Sequence, residues 1–557
     1  MNTTRREFIA LSLASGVVPS AWAEETPIFT AGMMTDTHVS PDPRSLKRIR
    51  EAYALFKEHR VDMIANVGDI ADHFYPEAYR QYRAIREAAY PDRASAPKEI
   101  YCYDNHDWYE FPEPDDKEHS KCYAKIRETL GINHEPYDKF VFAGFTFLVF
   151  PLFHDDRYER MIKEACEANP GKPVFVFDHV PASDTIYGSN IGGSDVTRKV
   201  LEKYPNVVHF SGHIHGSLRN EEQIWQGAFT EINLGSLTYY GDVYPGNLEE
   251  YGQGHAVLIM RLFANRAEFR RYSLVDGTEI SPDRVWTLSW DGGVMDKRFA
   301  PAERAKALAT PEYAAGVALE WSFRGGLVDI ALPEAKSARD LHQHRLTIER
   351  KENGGWRLVS VNHTRGDHWL ERGMPRKRTM VLDRLLFREG GEYRLTLTPL
   401  GFWGLEGKAL VKTAHFEKYA PTPLWSGMPE GFVKGEWRKC KSTQPTVATF
   451  LPEEDRKWAK VLMTVSVKDA PGALLQFKNG VHWPTPFAQV PNGADRLTFV
   501  VPFPRINYSE LPWAVIGGTR GASVKFDEYT FYPCPDSEGD EWAHGVVRSF
   551  KAGDGVH

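Results

Sequence analysis

Short apolar runs alternate with amphipathic stretches along the first half of the chain. Residues 43–60 and 155–169 place apolar side chains three and four positions apart, which predicts two helices with one buried face each. Asp42 and Pro43 are typical of a helix start. Strands that alternate with helices predict an α/β domain. The expected strands are 28–35, 62–67, 99–103, 140–151, 173–177 and 207–211.

The pattern changes further along the chain. A hairpin of residues 256–262 with 267–274 adds antiparallel strands to the first region, and a two-sheet sandwich flanked by helices fits it. After about residue 290 the helical periodicity disappears and strand-like segments follow one another. We therefore expect two all-β sandwich domains behind the α/β domain. The expected β segments are 326–332, 344–349, 356–361, 378–382, 393–399, 460–467, 496–501, 513–517 and 522–532.

The N-terminal segment has the features of an export signal. Arg5 and Arg6 precede an apolar stretch over residues 10–18, and Ala21-Trp22-Ala23 is a small-residue cleavage pattern. The adjacent arginines favour the bacterial twin-arginine route over a chance pair. The apolar stretch is too short to be a membrane anchor. We expect residues 1–23 to be a signal peptide and the mature protein to be periplasmic or secreted.

Size and charge narrow the possible functions. A chain of 557 residues with 42% hydrophobic and 26% charged residues indicates several globular domains. Its net charge of −7 argues against a basic nucleic-acid-binding surface. An anionic substrate remains compatible where bound cations neutralise the site. No later segment is apolar for long enough to cross a membrane.

The five cysteines match no zinc-site spacing. Export permits disulfides. A Cys440–Cys534 bridge could therefore stabilise the last domain, and an unpaired buried thiol is the expected state of Cys166.

Five short motifs rich in aspartate and histidine each follow an expected strand. Ligands in open α/β sheets bind beyond the carboxyl ends of strands, so the motifs can converge on one site. Oxygen and imidazole ligands suit manganese, iron or zinc, and their number exceeds the need of one tetrahedral zinc and fits two metals. The motifs are Asp36-Thr37-His38, Gly68-Asp69-Ile70-Ala71-Asp72, Asn105-His106-Asp107, His179-Val180-Pro181 and Gly212-His213-Ile214-His215.

In this order the motifs resemble those of the calcineurin-like metallophosphoesterase family, over roughly residues 28–275. The resemblance implies an α/β fold, an αββα sandwich with its helices outside, and two metal ions that hydrolyse a phosphate ester with a metal-bound hydroxide as the nucleophile. It implies that Asp69 bridges the two metals. The first metal would be held by Asp36, His38 and His215, and the second by Asn105, His179 and His213.

The resemblance also implies that His106 is not a ligand but protonates the leaving oxygen. Asp72 or Asp107 could orient its ring. Asp104 stands where the family commonly has glycine. Asp tolerates a positive φ, so the turn can form, but whether Asp104 tunes the metals or disfavours a dianionic substrate stays open.

The residues around the motifs allow two interpretations each. Trp108, Tyr109 and Phe111 could form a wall around a base or sugar, or could pack within a loop. The segments Asn233-Leu234-Gly235-Ser236 and Tyr239-Tyr240 could line the crevice or pack at a strand end. Phosphodiesterase and phosphomonoesterase activities are equally compatible with the motifs.

The C-terminal half offers weaker resemblances. Residues 391–399, with Gly404 and Gly407, resemble the last strands of a fibronectin type III domain, which suggests such a module over 291–417. Residues 418–557 resemble a jelly-roll. These modules could bind an envelope or glycan polymer, so the alternative function is an exported surface or glycan-binding protein with a non-catalytic metallophosphoesterase-like domain. The tryptophans that could bind sugar or pack in a core are Trp425, Trp437, Trp483 and Trp513.

Overall fold

The structure is a computed structural model of the chain. Among the residues that it describes, no helix has the length and apolarity needed to cross a membrane. The described residues are 25–40, 43–112, 120–152, 154–238, 255–291, 294–366, 368, 378–428, 433–439, 459–468, 474–476, 487–489, 496–503 and 523–535.

The first half contains two mixed sheets. The first sheet has the order β14-β13-β11-β10-β1-β2-β3, with β12 added beside β11, and the second has the order β4-β5-β6-β7-β9-β8. The strands are β1 (Phe29–Met34), β2 (Met63–Val67), β3 (Lys98–Cys102), β4 (Asp138–Phe142), β5 (Phe145–Val149), β6 (Val174–Phe177), β7 (Val207–Ser211), β8 (Ile224–Gln226), β9 (Thr230–Asn233), β10 (Ala256–Leu262), β11 (Arg266–Ser273), β12 (Glu279–Ile280), β13 (Trp286–Asp291) and β14 (Val294–Met295).

Helices cover the outer faces of both sheets. The helices are α1 (Pro43–Glu58), α2 (Pro76–Ala89), α3 (Asn105–Trp108), α4 (Ser120–Leu130), α5 (Asp156–Ala168), α6 (Ser189–Gly192), α7 (Asp195–Leu201) and α8 (Pro301–Ala307), and a 3-10 helix spans Glu221–Gln223.

Three apolar layers hold this αββα sandwich together. Phenylalanines of β5, β6 and β7 meet the apolar faces of β1 and β10 between the two sheets. A second layer joins α1, α2 and α4 to the first sheet, through side chains such as Tyr53 and Tyr82. A third joins α5 and α7 to the second sheet through Tyr158 and Leu201. Because β1 runs parallel to β2 and β2 to β3, and β6 runs parallel to β7, their carboxyl ends gather at one edge of the sandwich.

The described residues from Trp321 onward form β sheets joined by loops and short 3-10 helices. One sheet has the order β15-β16-β19 and a second the order β18-β17-β20-β21, and a further sheet contains β22, β28, β24, β27 and β23. The strands are β15 (Trp321–Arg324), β16 (Leu327–Leu332), β17 (Gln343–Glu352), β18 (Gly355–Arg365), β19 (Arg378–Asp383), β20 (Gly391–Leu400), β21 (Leu410–Phe416), β22 (Trp425–Ser426), β23 (Arg438–Lys439), β24 (Ala459–Lys468), β25 (Leu474–Gln476), β26 (Phe487–Gln489), β27 (Arg496–Phe503) and β28 (Ser523–Pro533).

The α/β sandwich followed by β sheets agrees with the expected fold class. The single strand expected over 140–151 is wrong, because the structure has a hairpin of β4 and β5 there. Ala143 and Gly144 form its turn, and both have positive φ. The segment is apolar before and after the turn, so its pattern gave no sign that the chain reverses there. The expected loss of helix after residue 290 is also wrong locally, since α8 lies at Pro301–Ala307.

Several expectations concern residues outside the described ranges. They are the signal peptide over 1–23, the cap by Asp42, the crevice role of Tyr239-Tyr240, the strand at 513–517, the Cys440–Cys534 bridge through Cys440, and the roles of Trp483 and Trp513.

Candidate active site

The seven expected ligands follow the carboxyl ends of five strands. Asp36 and His38 follow β1, Asp69 follows β2, and the others follow β3, β6 and β7. Five of the seven have a left-handed backbone, with φ between 37° and 67°. Such a backbone is uncommon outside glycine and clusters at functional sites, where the surrounding structure holds it. The five are Asp36, His38, Asp69, His213 and His215.

Two glycines let the ligand loops approach one another closely. Gly68 has φ +90°, and a Cβ there would lie 2.4 Å from Nδ1 of His179. A Cβ on Gly212 would lie 2.0 Å from Oγ1 of Thr35 and 2.5 Å from Oδ2 of Asp36. Neither position has room for a side chain, so the glycines in two of the five motifs serve the packing of the ligands.

The first group of ligands lies around one carboxylate oxygen of Asp36. Oδ1 of Asp36 is 3.0 Å from Nε2 of His215 and 3.8 Å from Nε2 of His38. Nε2 of His38 is 3.6 Å from Oδ2 of Asp69. The ligand atoms of these four side chains all lie within 4.8 Å of one another. The structure therefore brings together the residues expected for the first metal.

The second group also contains Asp69. Nε2 of His179 is 3.2 Å from Oδ2 of Asp69, and His213 offers a ring nitrogen within 4.8 Å of both. Asn105 is the remaining expected ligand; its Nδ2 lies 3.2 Å from the hydroxyl of Tyr109. Asp69 is common to both groups, which is the position that a bridging carboxylate requires.

Hydrogen bonds behind the ligands fix their orientation. Nδ1 of His179 lies 2.5 Å from the carbonyl oxygen of Val67, to which it donates, and this leaves Nε2 facing Asp69. Nδ1 of His215 lies 3.1 Å from Oγ of Ser236. Partners of this kind select the ring tautomer and make the facing nitrogen a better ligand.

The donor atoms fit metal ions. Oδ1 of Asp36, Oδ1 of Asn105 and Nε2 of His179 are buried and lack a hydrogen-bond partner. Buried polar atoms are rarely left without one, and a bound cation would supply a partner for these three. Burial lowers the pKa of His213 to about 4, which keeps its imidazole in the neutral form that binds metals. The buried Asp and His cluster therefore fits a binuclear metal site.

Carboxylates give the site a strongly negative potential. Burial would lower the pKa of His38, but hydrogen bonds to Asp36 and Asp72 and the charge of Asp69 outweigh it and raise the pKa to about 10. For Asp36 the signs are reversed. Burial alone would raise its pKa, but His215 and His179 keep that pKa well below its usual range. Negative groups that stabilise a protonated histidine can stabilise a bound cation in the same place.

His106 lies beside the ligands. Its Nδ1 is 2.8 Å from the carbonyl oxygen of Asp72 and 3.7 Å from the Asp72 carboxylate, and its ring is 4.5 Å from that of His38. Its backbone N–H donates to Oδ1 of Asp69. Burial lowers the pKa of His106, while the Asp69 charge acts in the opposite direction. With Nδ1 held by Asp72, Nε2 is the atom available for proton transfer.

Of the two residues expected to orient His106, Asp72 contacts its ring. Asp107 instead accepts hydrogen bonds from the N–H groups of Ile70 and Ala71 and from the hydroxyl of Tyr79. Its carboxylate therefore holds the Asp69 loop in place.

Asp104, which stands at the family's usual glycine position, has extended backbone with φ −139°. The turn therefore does not need the positive φ that we expected Asp104 to adopt. Its carboxylate caps the short helix α3 in a reciprocal capping box with Asp107. Burial raises the pKa of Asp104 well above its usual range.

The structure separates the three aromatic residues after the third motif. Trp108 and Phe111 pack against the core beneath α2 and α4, while the ring of Tyr109 lies 4.9 Å from that of His106. His73 also belongs to the surroundings of His106, at 6.2 Å between ring centroids, and sequence reasoning missed it. Its position directly after Asp72 was the available signal.

Among the strand-end residues, Ser236 contacts the ligand His215, whereas Leu234 packs in the inter-sheet core. Asn233 donates from Nδ2 to the carbonyl oxygen of Gly212. Hydrogen bonds from this segment to Gly212 and His215 therefore help to hold the last motif in place.

Comparisons with known proteins agree with this arrangement. Residues 30–217 match the family described as Calcineurin-like phosphoesterase. Comparison with curated proteins returns no match. The matched region lies within the α/β sandwich and contains the motifs up to Gly212-His213-Ile214-His215.

Solved structures with detectable similarity are distant. A dimetal phosphatase from Danio rerio has 13% identity, covering 48% of this chain and 100% of that chain, with a TM-score of 0.32. A purple acid phosphatase from yellow lupin has 12% identity, covering 48% of this chain and 54% of that chain, with a TM-score of 0.35. A phosphoesterase from E. coli has 12% identity, covering 45% and 97%, with a TM-score of 0.23.

Proposed function

We propose that this chain is an exported hydrolase of phosphate esters that uses two metal ions. The observation that carries the proposal is the pair of ligand groups that share Asp69, with His106 beside them in a third group that contains His38 and Asp72. Asp36, His38 and His215 would hold one ion, and Asn105, His179 and His213 the other. When bound, the two ions would supply a nucleophilic water and neutralise the phosphoryl charge.

The chain's own residues would perform the remaining tasks. The left-handed loops fix the ligands before substrate arrives, so little reorganisation is needed at the moment of reaction. Asp72 accepts from Nδ1 of His106 and holds its ring. Nε2 of His106 would donate a proton to the leaving oxygen, since an alkoxide leaves poorly without one. Manganese, iron and zinc all suit these ligands, and mono- and diesters are both possible substrates.

The proposal also includes export of the chain and a fibronectin type III-like module behind the α/β domain. The Arg5-Arg6 pair and the Ala21-Trp22-Ala23 pattern support twin-arginine export and a mature chain that starts near Glu24. N-terminal sequencing of envelope material tests this. The described residues between Trp321 and Phe416 form seven antiparallel strands in two facing sheets, which supports a fibronectin type III-like sandwich.

A histidine substitution tests the catalytic role. His106→Ala should keep both metals and lose roughly 10²–10⁴ in turnover of an alkyl phosphate, the usual contribution of general acid–base catalysis. The loss should be smaller for a p-nitrophenyl ester, whose leaving group needs little protonation. The measurement is phosphate release with metal content determined on the same preparation.

The matched control is His59→Ala, because His59 packs against Tyr272 on the helical side of the first sheet and outside both ligand groups. Loss of a metal from His106→Ala would make His106 a ligand. Full activity of His106→Ala on the alkyl ester would mean that another group protonates the leaving oxygen. A wild-type protein that holds two metals and hydrolyses no ester would instead favour the non-catalytic binding protein.

A further inference from the structure

Two loops beside the site are locked together. The backbone N–H of Phe74 donates to the carbonyl oxygen of Tyr109 at 2.8 Å, and the ring of Phe74 packs edge-on against Phe111 at 4.8 Å. Trp108 and Phe111 turn inward against the helical core. Tyr109 is therefore held with its side chain on the outer surface, where 39% of the residue is exposed.

This packing builds a short line of rings next to His106. We call His73, Tyr75 and Tyr109 the aromatic rim. Tyr109 lies 4.9 Å from His106, His73 lies 6.2 Å from both Tyr109 and His106, and Tyr75 lies 5.8 Å from His73. The side chain of His73 is 35% exposed, and Tyr75 is 38% exposed. All three residues of the rim are therefore partly exposed to solvent close to His106.

The position of the rim relates it to one part of a substrate. This step rests on the proposed function, in which His106 protonates the leaving oxygen. The phosphoryl group must face the ligands around Asp69, so the group bonded to the leaving oxygen must extend past His106. Besides the ligand His38, Tyr109 and His73 have rings close to that of His106 among the residues that the structure describes.

Negatively charged side chains lie close to the aromatic rim. The Asp72 carboxylate is 41% exposed and lies 3.7 Å from Nε2 of His73. The exposed Glu110 accepts a hydrogen bond from the hydroxyl of Tyr75. Two carboxylates so close to the rim would repel a second phosphate or carboxylate on the leaving group.

We propose that the aromatic rim binds the leaving group of the substrate, and that this group carries a planar ring and no additional negative charge. A nucleoside or an aryl-bearing alcohol has this chemistry. Exposed ring faces stack on planar groups with little loss of conformational freedom, because tyrosine has few rotatable bonds.

Two phosphonates that the enzyme does not hydrolyse separate this inference from catalysis. Benzylphosphonate and ethylphosphonate have a methylene in place of the ester oxygen and differ in the ring. Calorimetric titration of the metal-loaded full chain should find benzylphosphonate bound about tenfold more tightly, a typical effect of one stacked ring. The ethyl compound is the internal reference for phosphonate binding to the metals.

Tyr109 supplies its own matched control. Tyr109→Phe removes the hydroxyl that Asn105 contacts but keeps the ring, and should keep the preference for benzylphosphonate. Tyr109→Leu removes both and should reduce the preference to about twofold or less. Comparing the two variants separates stacking from any disturbance of Asn105.

Equal affinities of the two phosphonates in the wild type, or an unchanged preference in Tyr109→Leu, would overturn the inference. Absence of binding by both compounds would overturn it as well. If the ring preference is found but no ester is hydrolysed, the rim stands as a ligand site and the proposed hydrolase function fails.

Discussion

Single residues determine whether the ligands can converge. The left-handed backbone at Asp36, Asp69 and His213 turns each side chain back toward its neighbours directly after a strand. Such a conformation costs on the order of 1 kcal/mol or more per residue and persists only where other contacts hold it. Here hydrogen bonds between the loops do so, such as that from the N–H of Asp36 to the carbonyl oxygen of Gly68.

Gly212→Ala tests this close packing. The added Cβ would lie within 2.5 Å of Oδ2 of Asp36, so the carboxylate must move away from its partners. We expect weaker binding of the first metal and at least a tenfold loss of activity at limiting metal. Metal titration of the apoprotein measures this directly. Gly355→Ala is the control, because its Cβ would meet an atom only at 3.8 Å, and it should leave metal affinity unchanged.

The sequence predicted these ligands because their signal is local. Each motif lies within five consecutive residues and follows a strand, so the spacing alone indicates a shared direction. The function of Asp107 was not predictable, because its partners Ile70 and Tyr79 come from other segments. Nor could the sequence separate Tyr109 from Trp108 and Phe111, since a short helix followed by a turn directs adjacent side chains differently.

At the scale of elements, the 3-10 helix Glu221–Gln223 joins the two halves of the molecule. Glu221 accepts from Arg271 and from the indole N–H of Trp286, and forms an ion pair with Arg304. Glu222 accepts a hydrogen bond from the backbone N–H of Trp403 in the β half. The element therefore couples the α/β sandwich to the segment between β20 and β21.

Glu222 should make stability depend on pH. Burial raises its pKa to about 7, above the ordinary value of 4.5. Between these two pH values the folded protein holds a proton on Glu222 that the unfolded chain has lost. The resulting stabilisation of the folded state is fully present below about pH 4.5 and is lost as the pH rises through 7. Glu222→Gln, which mimics the protonated form, should stabilise the protein by on the order of 2 kcal/mol more at pH 8 than at pH 5.

Urea unfolding of both proteins at the two pH values measures this difference. Glu221→Gln is the contrasting control: burial would raise the pKa of Glu221, but Arg271 and Arg304 hold it below its usual range. That variant should destabilise the protein at both pH values, since it leaves buried arginines poorly compensated. A Glu222→Gln effect that is equal at pH 5 and pH 8 would contradict the assignment.

Periodicity predicted most elements because a buried face leaves a regular pattern. It failed where strands were apolar on both sides of a turn, as at β4 and β5, whose reversal depends on two residues, Ala143 and Gly144. It also failed for α8, whose seven residues are too few to show a period.

At the scale of the whole molecule, the contacts of the first unit continue past the point where the pattern changes. The expected boundary at residue 290 falls within β13, and Phe299 packs into the core between the two sheets. Arg304 of α8 reaches back to Glu221. We therefore propose that the first unit extends to about Leu308. The sequence could not reveal this, because the contacts are made with residues some 70 positions away.

Truncation tests that boundary. A chain of residues 24–290 lacks Phe299 and Arg304, and burial of one phenylalanine alone contributes about 1.5–3 kcal/mol. We expect it to melt well below a chain of residues 24–308, measured by circular dichroism. Equal melting temperatures would place the boundary at 290 after all.

The longer chain also tests whether the β half supports the site. In the full chain, Gln343 donates to the hydroxyl of Tyr187, and His342 packs against its ring. Tyr187 lies two residues before α6, and α6 ends at Gly192. A Cβ added to Gly192 would lie 3.5 Å from the ring of His213, so this helix reaches the site. Residues 24–308 should therefore keep metal binding but turn over substrate more slowly than the full chain.

The central claim is that two metals and one ester-hydrolysing centre belong to the same cluster. The most direct measurement is a titration of metal-free protein with manganese, iron or zinc, in which bound equivalents and phosphate release are followed together. Activity should rise steeply only as the second equivalent binds, and Asp69→Asn should disturb both steps. Full activity at one equivalent, or two bound equivalents with no hydrolysis of any mono- or diester, would contradict it.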